Sequence, residues 1–448
     1  MMNSPLVVRS TLVALIVSLI CLTGCPPPHG SGSGGGRGGG QGGGRRGEVA
    51  VEGGTSDPAE APARTSTAAA EDVEAAKTLL DGLGPNAKYT LLSGGVMTEI
   101  AIPDGSGLSA ENIALFGKLS DLETLQILNY RSLNDEMASQ LAGLENLTTL
   151  ALTNSVIGDP TVELIAESFP NLTNLDLSSN TNMTSGVLKV VCGLGKLERL
   201  TLVQNRFNDL STGRLSKLEN LRVLDIRGNM EAGDMTMEVL GVLPKLTALK
   251  HRSTTVTDFG MEYLAQSKTL SALLIQDFGI TSQAGEQIAK LDKLTQLEIF
   301  RCQGFGSDGV LALKGMKLSR LTLRDLPMID DMAMEVFADL PELKRLYLHE
   351  NDSISDEGLK NLEALKSLEV LDIWSVSQMS DATVDVIATL PNLKELSIKV
   401  TGVTDAAVDK LLAMPKLESL TFKDNGSVTA EGLEKLAGKD WAKLDVGQ

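Results

Sequence analysis

"LKELSIKVTGVTDAAVDKLLAMPK", residues 393–416, changes its hydrophobic period part-way along. Leu393, Leu396 and Ile398 share one face of an extended segment, the pattern of a half-buried strand. Val403 marks a turn, and Ala407, Val408, Leu411 and Leu412 then recur at helical spacing. Thr404-Asp405 stands where that helix begins. A threonine before a helix accepts a backbone N–H, and an aspartate in the first turn meets the positive end of the helix dipole. The stretch therefore reads as strand, turn and helix, a unit too small to bury its own apolar face.

The same frame begins again at Met97, Leu122, Leu147, Leu172, Leu197, Leu221, Leu246, Leu270, Leu294, Leu318, Leu343, Leu368, Leu393, Leu417 and Trp441, always 24 or 25 residues apart. Thr257-Asp258, Ser307-Asp308, Ser355-Asp356 and Ser380-Asp381 repeat the helix start. Units of this size become stable by stacking, which joins their apolar faces into one core. The expected fold is α/β: a curved solenoid with a parallel sheet on its concave face and helices on its convex face.

These frames resemble the leucine-rich repeat family over residues 97–446, and the "TDxxV" and "SDEGL" helix starts resemble the helical repeats of its bacterial and F-box-associated members. The stretch "AKTLLDGLGPNAKYTLLSGGVMTEIAI" resembles the N-terminal cap of exported bacterial proteins of planctomycete type. No F-box-like segment is present, so no ubiquitin-ligase role is carried over. The resemblance implies that Asn180, Asn205, Asn229, Asn351 and Asn425, at the ninth position of their frames, satisfy backbone groups where each strand turns away. Cys302, Thr254 and Thr401 replace that asparagine elsewhere. It also implies a protein partner. His251 falls on the sixth, inward position of its frame, where a hydrogen-bonded structural histidine is expected.

The chain divides into a signal peptide (1–24), a lipidated cysteine and tether (25–70), a cap helix and strand (71–96) and the repeats (97–448). Thr11 to Leu22 is an apolar run shorter than the roughly 20 residues of a membrane-spanning helix. Behind Arg9 it reads as a secretory signal. Leu22-Thr23-Gly24-Cys25 resembles the bacterial lipobox, in which the cysteine carries lipid, so Cys25 is the expected anchor. The Gly, Pro, Ser and Ala-rich stretch behind it has the composition of a flexible tether, with a reach of about 35 to 40 Å. Gly34-x-Gly36-x-x-Gly39 is a product of that composition and not a dinucleotide fingerprint, because no strand precedes it and no helix follows. The expected location is the cell envelope, anchored to a bacterial membrane at the outer membrane or the periplasmic face.

A net charge of −18 argues against nucleic-acid binding, which needs a basic footprint. Cys192 and Cys302 are not expected to pair, leaving stability to the apolar core. His29, His251 and His349 are the three histidines, and neither a Cys/His metal spacing, a Walker loop nor a nucleophile elbow occurs in the repeats. Glu298 and Asp372 fall three strands apart, roughly 14 Å, too far for paired acid and base work on a glycoside. The expectation is a non-catalytic module without cofactor or metal.

Positions three, five and seven of each frame point to the open side of the sheet. Over the fifteen frames they hold ten basic and seven acidic residues, a balance of +3 (10 − 7) in a chain of −18. Column seven reads Phe300, Arg324, His349, Trp374, Lys399; column five reads Glu298, Thr322, Tyr347, Asp372, Ser397; column three adds Arg320 and Arg345. Tryptophan, tyrosine and arginine are enriched at binding hot spots. The candidate partner-binding residues are therefore Phe300, Arg320, Arg324, Arg345, Tyr347, His349 and Trp374, expected to be exposed. A protein is the expected partner; the alternative is an envelope glycan stacked on Trp374 and Tyr347. The chain is expected to be a monomer.

Overall fold

The computed structural model describes residues 65–447. The signal peptide, Cys25 and nearly all of the tether lie outside the described residues. The first contacts of the described residues tie residues 66–68 to the solenoid: the Asp121 carboxylate accepts from Ser66 Oγ, Thr67 N, Thr67 Oγ1 and Ala68 N. Helix α1 (Ala70–Gly82) follows and turns Val73, Ala76 and Leu80 onto the core. It closes the N-terminal end of the described residues over the apolar face of the first repeat.

Sixteen strands then form one sheet in chain order: β1 (Lys88–Leu92), β2 (Val96–Ile102), β3 (Thr124–Ile127), β4 (Thr149–Leu152), β5 (Asn174–Asp176), β6 (Arg199–Thr201), β7 (Val223–Asp225), β8 (Ala248–Arg252), β9 (Ala272–Gln276), β10 (Gln296–Phe300), β11 (Arg320–Arg324), β12 (Arg345–His349), β13 (Val370–Trp374), β14 (Glu395–Lys399), β15 (Ser419–Lys423) and β16 (Lys443–Gly447). β1 pairs antiparallel with β2 as a hairpin; every later pairing is parallel. The register carries each frame position onto the same position of the next frame, as in Leu297, Leu321, Leu346 and Leu371. Those leucines are buried, and one apolar core runs from Val73 to Leu436. Trp441 packs against its far end and donates Nε1–H to the Leu436 carbonyl at 2.7 Å.

The helix starts do more than cap their own helices. Thr257, Ser355, Ser380 and Thr404 accept from a backbone N–H two residues on, as their sequence predicts. Each also donates its hydroxyl to the aspartate of the preceding repeat: Thr257 to Asp234, Ser355 to Asp331, Ser380 to Asp356, Thr404 to Asp381. Asp356 further accepts from Thr383 Oγ1. Beside Asp234 and Asp331 the chain carries glycine at that third position, Gly260 and Gly358, where a Cβ would stand 2.4 and 2.5 Å from the carboxylate Oδ1; beside Asp381 it carries Ala407. Ser307 departs from the pattern, with Gly306 as its cap and its own hydroxyl bonded to Asp330 of the following repeat.

At the other end of twelve strands, β3–β7 and β9–β15, the eighth frame position is left-handed. Asn129, Asn154, Ser179, Gln204, Asp277, Arg301, Asp325, Glu350, Ser375, Val400 and Asp424 have φ between 50° and 61°, and Gly228 shares the site. The turn delivers the ninth-position asparagine inward. Asn180 donates to the Leu152 and Leu177 carbonyls and accepts from Ser155 N; Asn229 and Asn425 do the equivalent. Buried backbone groups that leave the sheet ladder are thereby satisfied. His251 is fully buried, bonds the Ala232 carbonyl through Nε2 at 2.8 Å and meets the Phe278 ring edge-on. Burial pushes its pKa down to about 4, so it is a neutral structural group. Cys192 and Cys302 are both buried and free, with burial pushing their thiols up to about 11 and about 12.

Candidate functional site

The sheet brings all seven candidate residues onto four neighbouring strands. Phe300, Arg324, His349 and Trp374 stand in one row across β10–β13, because each pairs with the next in register. Arg320 and Arg345 are paired in the row at the other end of β11 and β12, and Tyr347 lies between the two rows. Alternation places this whole set on the face opposite the buried leucines.

The set is interlocked. The Arg324 guanidinium lies 4.4 Å from the Phe300 ring centroid and 5.2 Å from that of Trp374, and its Nε donates to Glu350 Oε2 at 2.7 Å. Arg320 sits 4.6 Å over Tyr347, and Lys399 approaches the Trp374 ring at 5.8 Å. His349 packs edge-on against both Tyr347 and Trp374, at 6.0 and 5.7 Å. A cation over a ring contributes about 0.5 to 2 kcal/mol depending on desolvation, so several in series hold the side chains in place.

Exposure of the set differs from the sequence expectation. Phe300, Arg320, Arg324, Tyr347, His349 and Trp374 are half-buried, and of the seven only Arg345 is exposed. Parallel strands about 4.8 Å apart force large side chains on the inner arc into lateral contact, which alternation alone does not reveal. Column five goes further: Glu298 and Thr322 are buried outright.

Asp372 anchors the patch electrostatically. Its carboxylate lies 3.3 Å from His349 Nε2 and 3.4 Å from Lys399 Nζ. Burial by itself would raise its pKa, but His349 and Lys399 outweigh that and hold it below the usual carboxylate range. Ser397 pairs in register with Asp372, so the carboxylate separates the hydroxyl from the imidazole. A nucleophilic serine needs the base itself as its neighbour, and this order does not supply one. Glu298 shows the opposite balance: burial raises its pKa against the pull of Arg320, Lys250, Arg227 and Arg324. Among the described residues no cluster of three metal-ligating side chains occurs. No helix among them is long and apolar enough to cross a membrane.

Two features of the concave side escaped the sequence reading. Asp277, at a left-handed strand exit, receives both Arg252 and Arg301, and these guanidiniums overcome its burial to depress its pKa. A hollow of about 2930 Å³ lies apart from the aromatic patch, over β1–β8. Its floor includes Thr124, Thr149, Ala151 and Thr201, whose small side chains leave the space open. Asp176 sits there, and burial pushes its pKa up to about 6 although Ser178 donates to it twice. The hollow follows from small residues in columns three and five, a signal present in the sequence. Arg131, Arg199, Arg206 and Arg227 line it as well, but among its lining residues Tyr89 is the one aromatic ring, against Phe300, Tyr347, His349 and Trp374 in the patch, which remains the candidate site.

With strands, asparagines and helix starts all in register, comparison with known proteins decides the architecture. A family model described as "Leucine Rich repeat" matches residues 413–437. A chain of the yeast Rad7–Elc1 complex superposes with a TM-score of 0.52 at 18% identity, over 78% of this chain and 92% of that one. The fold is a leucine-rich repeat solenoid. Further similar structures include an internalin from Listeria monocytogenes (16% identity, 85% and 95% of the two chains, TM-score 0.45) and a leucine-rich repeat protein of Leptospira interrogans (21%, 74% and 86%, 0.43). No curated protein matches the chain. In this solenoid the aromatic patch occupies the concave face near its C-terminal third, and the hollow occupies the N-terminal half.

Proposed function

We propose that this leucine-rich repeat solenoid is a non-catalytic recognition module that binds a protein partner on the concave patch of β10–β13, tethered to the cell envelope by lipid on Cys25. The observation that carries this reading is the ring and cation ladder, a preorganised cluster of hot-spot residue types. Because intramolecular contacts already fix its rotamers, a partner meets it at little cost in side-chain entropy. Arg345 stands beside the ladder, exposed and without an ion pair among the described residues, available for an acidic group. A role in protein assembly is in keeping with the Rad7–Elc1 chain, which was solved as part of a complex.

A glycan fits the site less well. Sugar rings stack on open aromatic faces, whereas Arg320 lies over Tyr347 and both Arg324 and Lys399 lie over Trp374.

Capture from envelope fractions with the wild-type chain and with Arg345→Glu tests the proposal, since an exposed, unpaired side chain is changed without disturbing the fold. Loss of a captured protein in the variant, with no competition by soluble envelope oligosaccharides, is expected. Equal capture by both chains, or competition by the oligosaccharides, contradicts it. The tether is tested separately by Cys25→Ser, which is expected to abolish membrane fractionation.

A further inference from the structure

The convex side carries an apolar row that the concave site does not explain. Leu210, Met235 and Phe259 occupy the same position, the second residue of the helix, in three successive repeats, and they are 86%, 62% and 69% exposed. Val242, at the end of the middle helix, is a further 62% exposed. Large apolar side chains aligned and open to water over adjacent repeats mark an interaction surface more often than a monomer's ordinary exterior.

The charges one helical turn further on say what covers it. In five successive repeats Lys189, Arg214, Glu238, Glu262 and Glu286 stand there, all exposed, with Arg214 four residues past Leu210 and Glu238 and Glu262 three past Met235 and Phe259. None of the five is held in an ion pair among the described residues. The acids nearest the apolar row are unavailable, because Asp209, Asp234 and Asp258 are bonded to Thr236, Thr257 and Thr281 of the following repeats. The free row is thus basic at the Leu210 end and acidic at the Phe259 end. A surface with that gradient is complementary to itself once turned end for end.

We infer that a second copy of this chain covers the row, about a two-fold axis lying parallel to the middle helix, Asp234–Gly241. Such an axis preserves position along the helix and reverses the order of repeats. Leu210 then meets Phe259 of the other copy, Met235 and Val242 meet themselves, Arg214 faces Glu262, and Lys189 faces Glu286. This is the isologous pattern of a two-fold interface. Helices 8 to 10 Å apart give the five rows a length of roughly 40 Å. With short helices roughly 12 Å long, each partner contributes about 500 Å², below the ~800 Å² of a standard interface. The pairing is therefore weak and concentration-dependent, and it leaves both concave faces open. The monomer expected from sequence is its low-concentration state.

Sedimentation velocity of the chain from about 1 µM to about 1 mM, the span of weak association, is the test. A dimer that weakens as salt is raised is expected, because the facing charges are exposed and screened. Arg214→Glu should weaken association about tenfold or more, and so should Glu262→Arg. The two together in one chain should restore it, since each copy again offers opposite charges across the axis. Glu238→Gln should tighten it by removing the like pair on the axis. Thermal melting reads the fold of each variant independently. A monomer at every concentration overturns the inference, as does a dimer that ignores the single reversals or a double variant that stays monomeric.

Discussion

At the scale of the residue, the positions that break the repeat pattern are the most informative. Val400 holds a left-handed conformation at φ 54°, where its β-branched side chain is strained and where other repeats use Asn129, Asn154 or Gly228. Val400 is 42% exposed, so only part of its burial is lost on replacement. Val400→Asn should raise stability by about 1 kcal/mol in urea denaturation. Asp176 and His251 titrate in one pH window with opposite signs. Asp176 has a folded value of about 6, above the ordinary 3.8, so the native state holds its proton more tightly. That contribution is present at low pH and lost as pH rises from about 4 to about 6. His251 has a folded value of about 4, below the ordinary 6.5, so its contribution is present above 6.5 and lost as pH falls towards 4. The two offset each other. Asp176→Asn should steepen the loss of melting temperature on acidification between pH 6.5 and 4, whereas His251→Leu should flatten it. Identical pH slopes in both variants and the wild type would sink this assignment.

At the scale of the element, the sequence conveyed each unit's content but not the bonds between units. The strand and helix periods of residues 393–416 were readable because each buries one face against the same core. The Ser/Thr-Asp pairs were readable as local caps. That the aspartate of one repeat holds the hydroxyl of the next depends on the stacking offset, which no single repeat encodes. Asp356→Ala removes the acceptor for Ser380 N, Ser380 Oγ and Thr383 Oγ1, and should cost about 2 kcal/mol in chemical denaturation. Asp405→Ala should cost less, because its contacts with Thr429 are solvent-exposed. Equal losses would mean that burial of the ladder does not set its strength. The left-handed exits were half legible: asparagine, aspartate, serine and glycine crowd the eighth column, but Gln204, Arg301, Glu350 and Val400 obscure it.

At the scale of the whole molecule, stacking in register makes one sheet from fifteen weakly similar frames, so a residue's column predicts its neighbours two strands away. That is why the row Phe300, Arg324, His349 and Trp374 could be assembled from sequence. Its half-burial could not, because the reach of Arg324 over His349 to Trp374 is a matter of side-chain rotamers and sheet curvature. The N-terminal hollow shows the same limit, since its volume comes from what small residues fail to fill. The central claim is that the concave patch of β10–β13 is the surface a protein partner meets. The most direct measurement replaces Arg345, and separately Lys290 on the convex side, with a photo-crosslinking amino acid in cells and follows the adducts formed. We predict a discrete adduct with a different protein from position 345 that disappears when Trp374→Ala is added, and from position 290 none except with a second copy of this chain. An adduct with a different protein from position 290 alone, or one from position 345 that survives Trp374→Ala unchanged, would contradict the account.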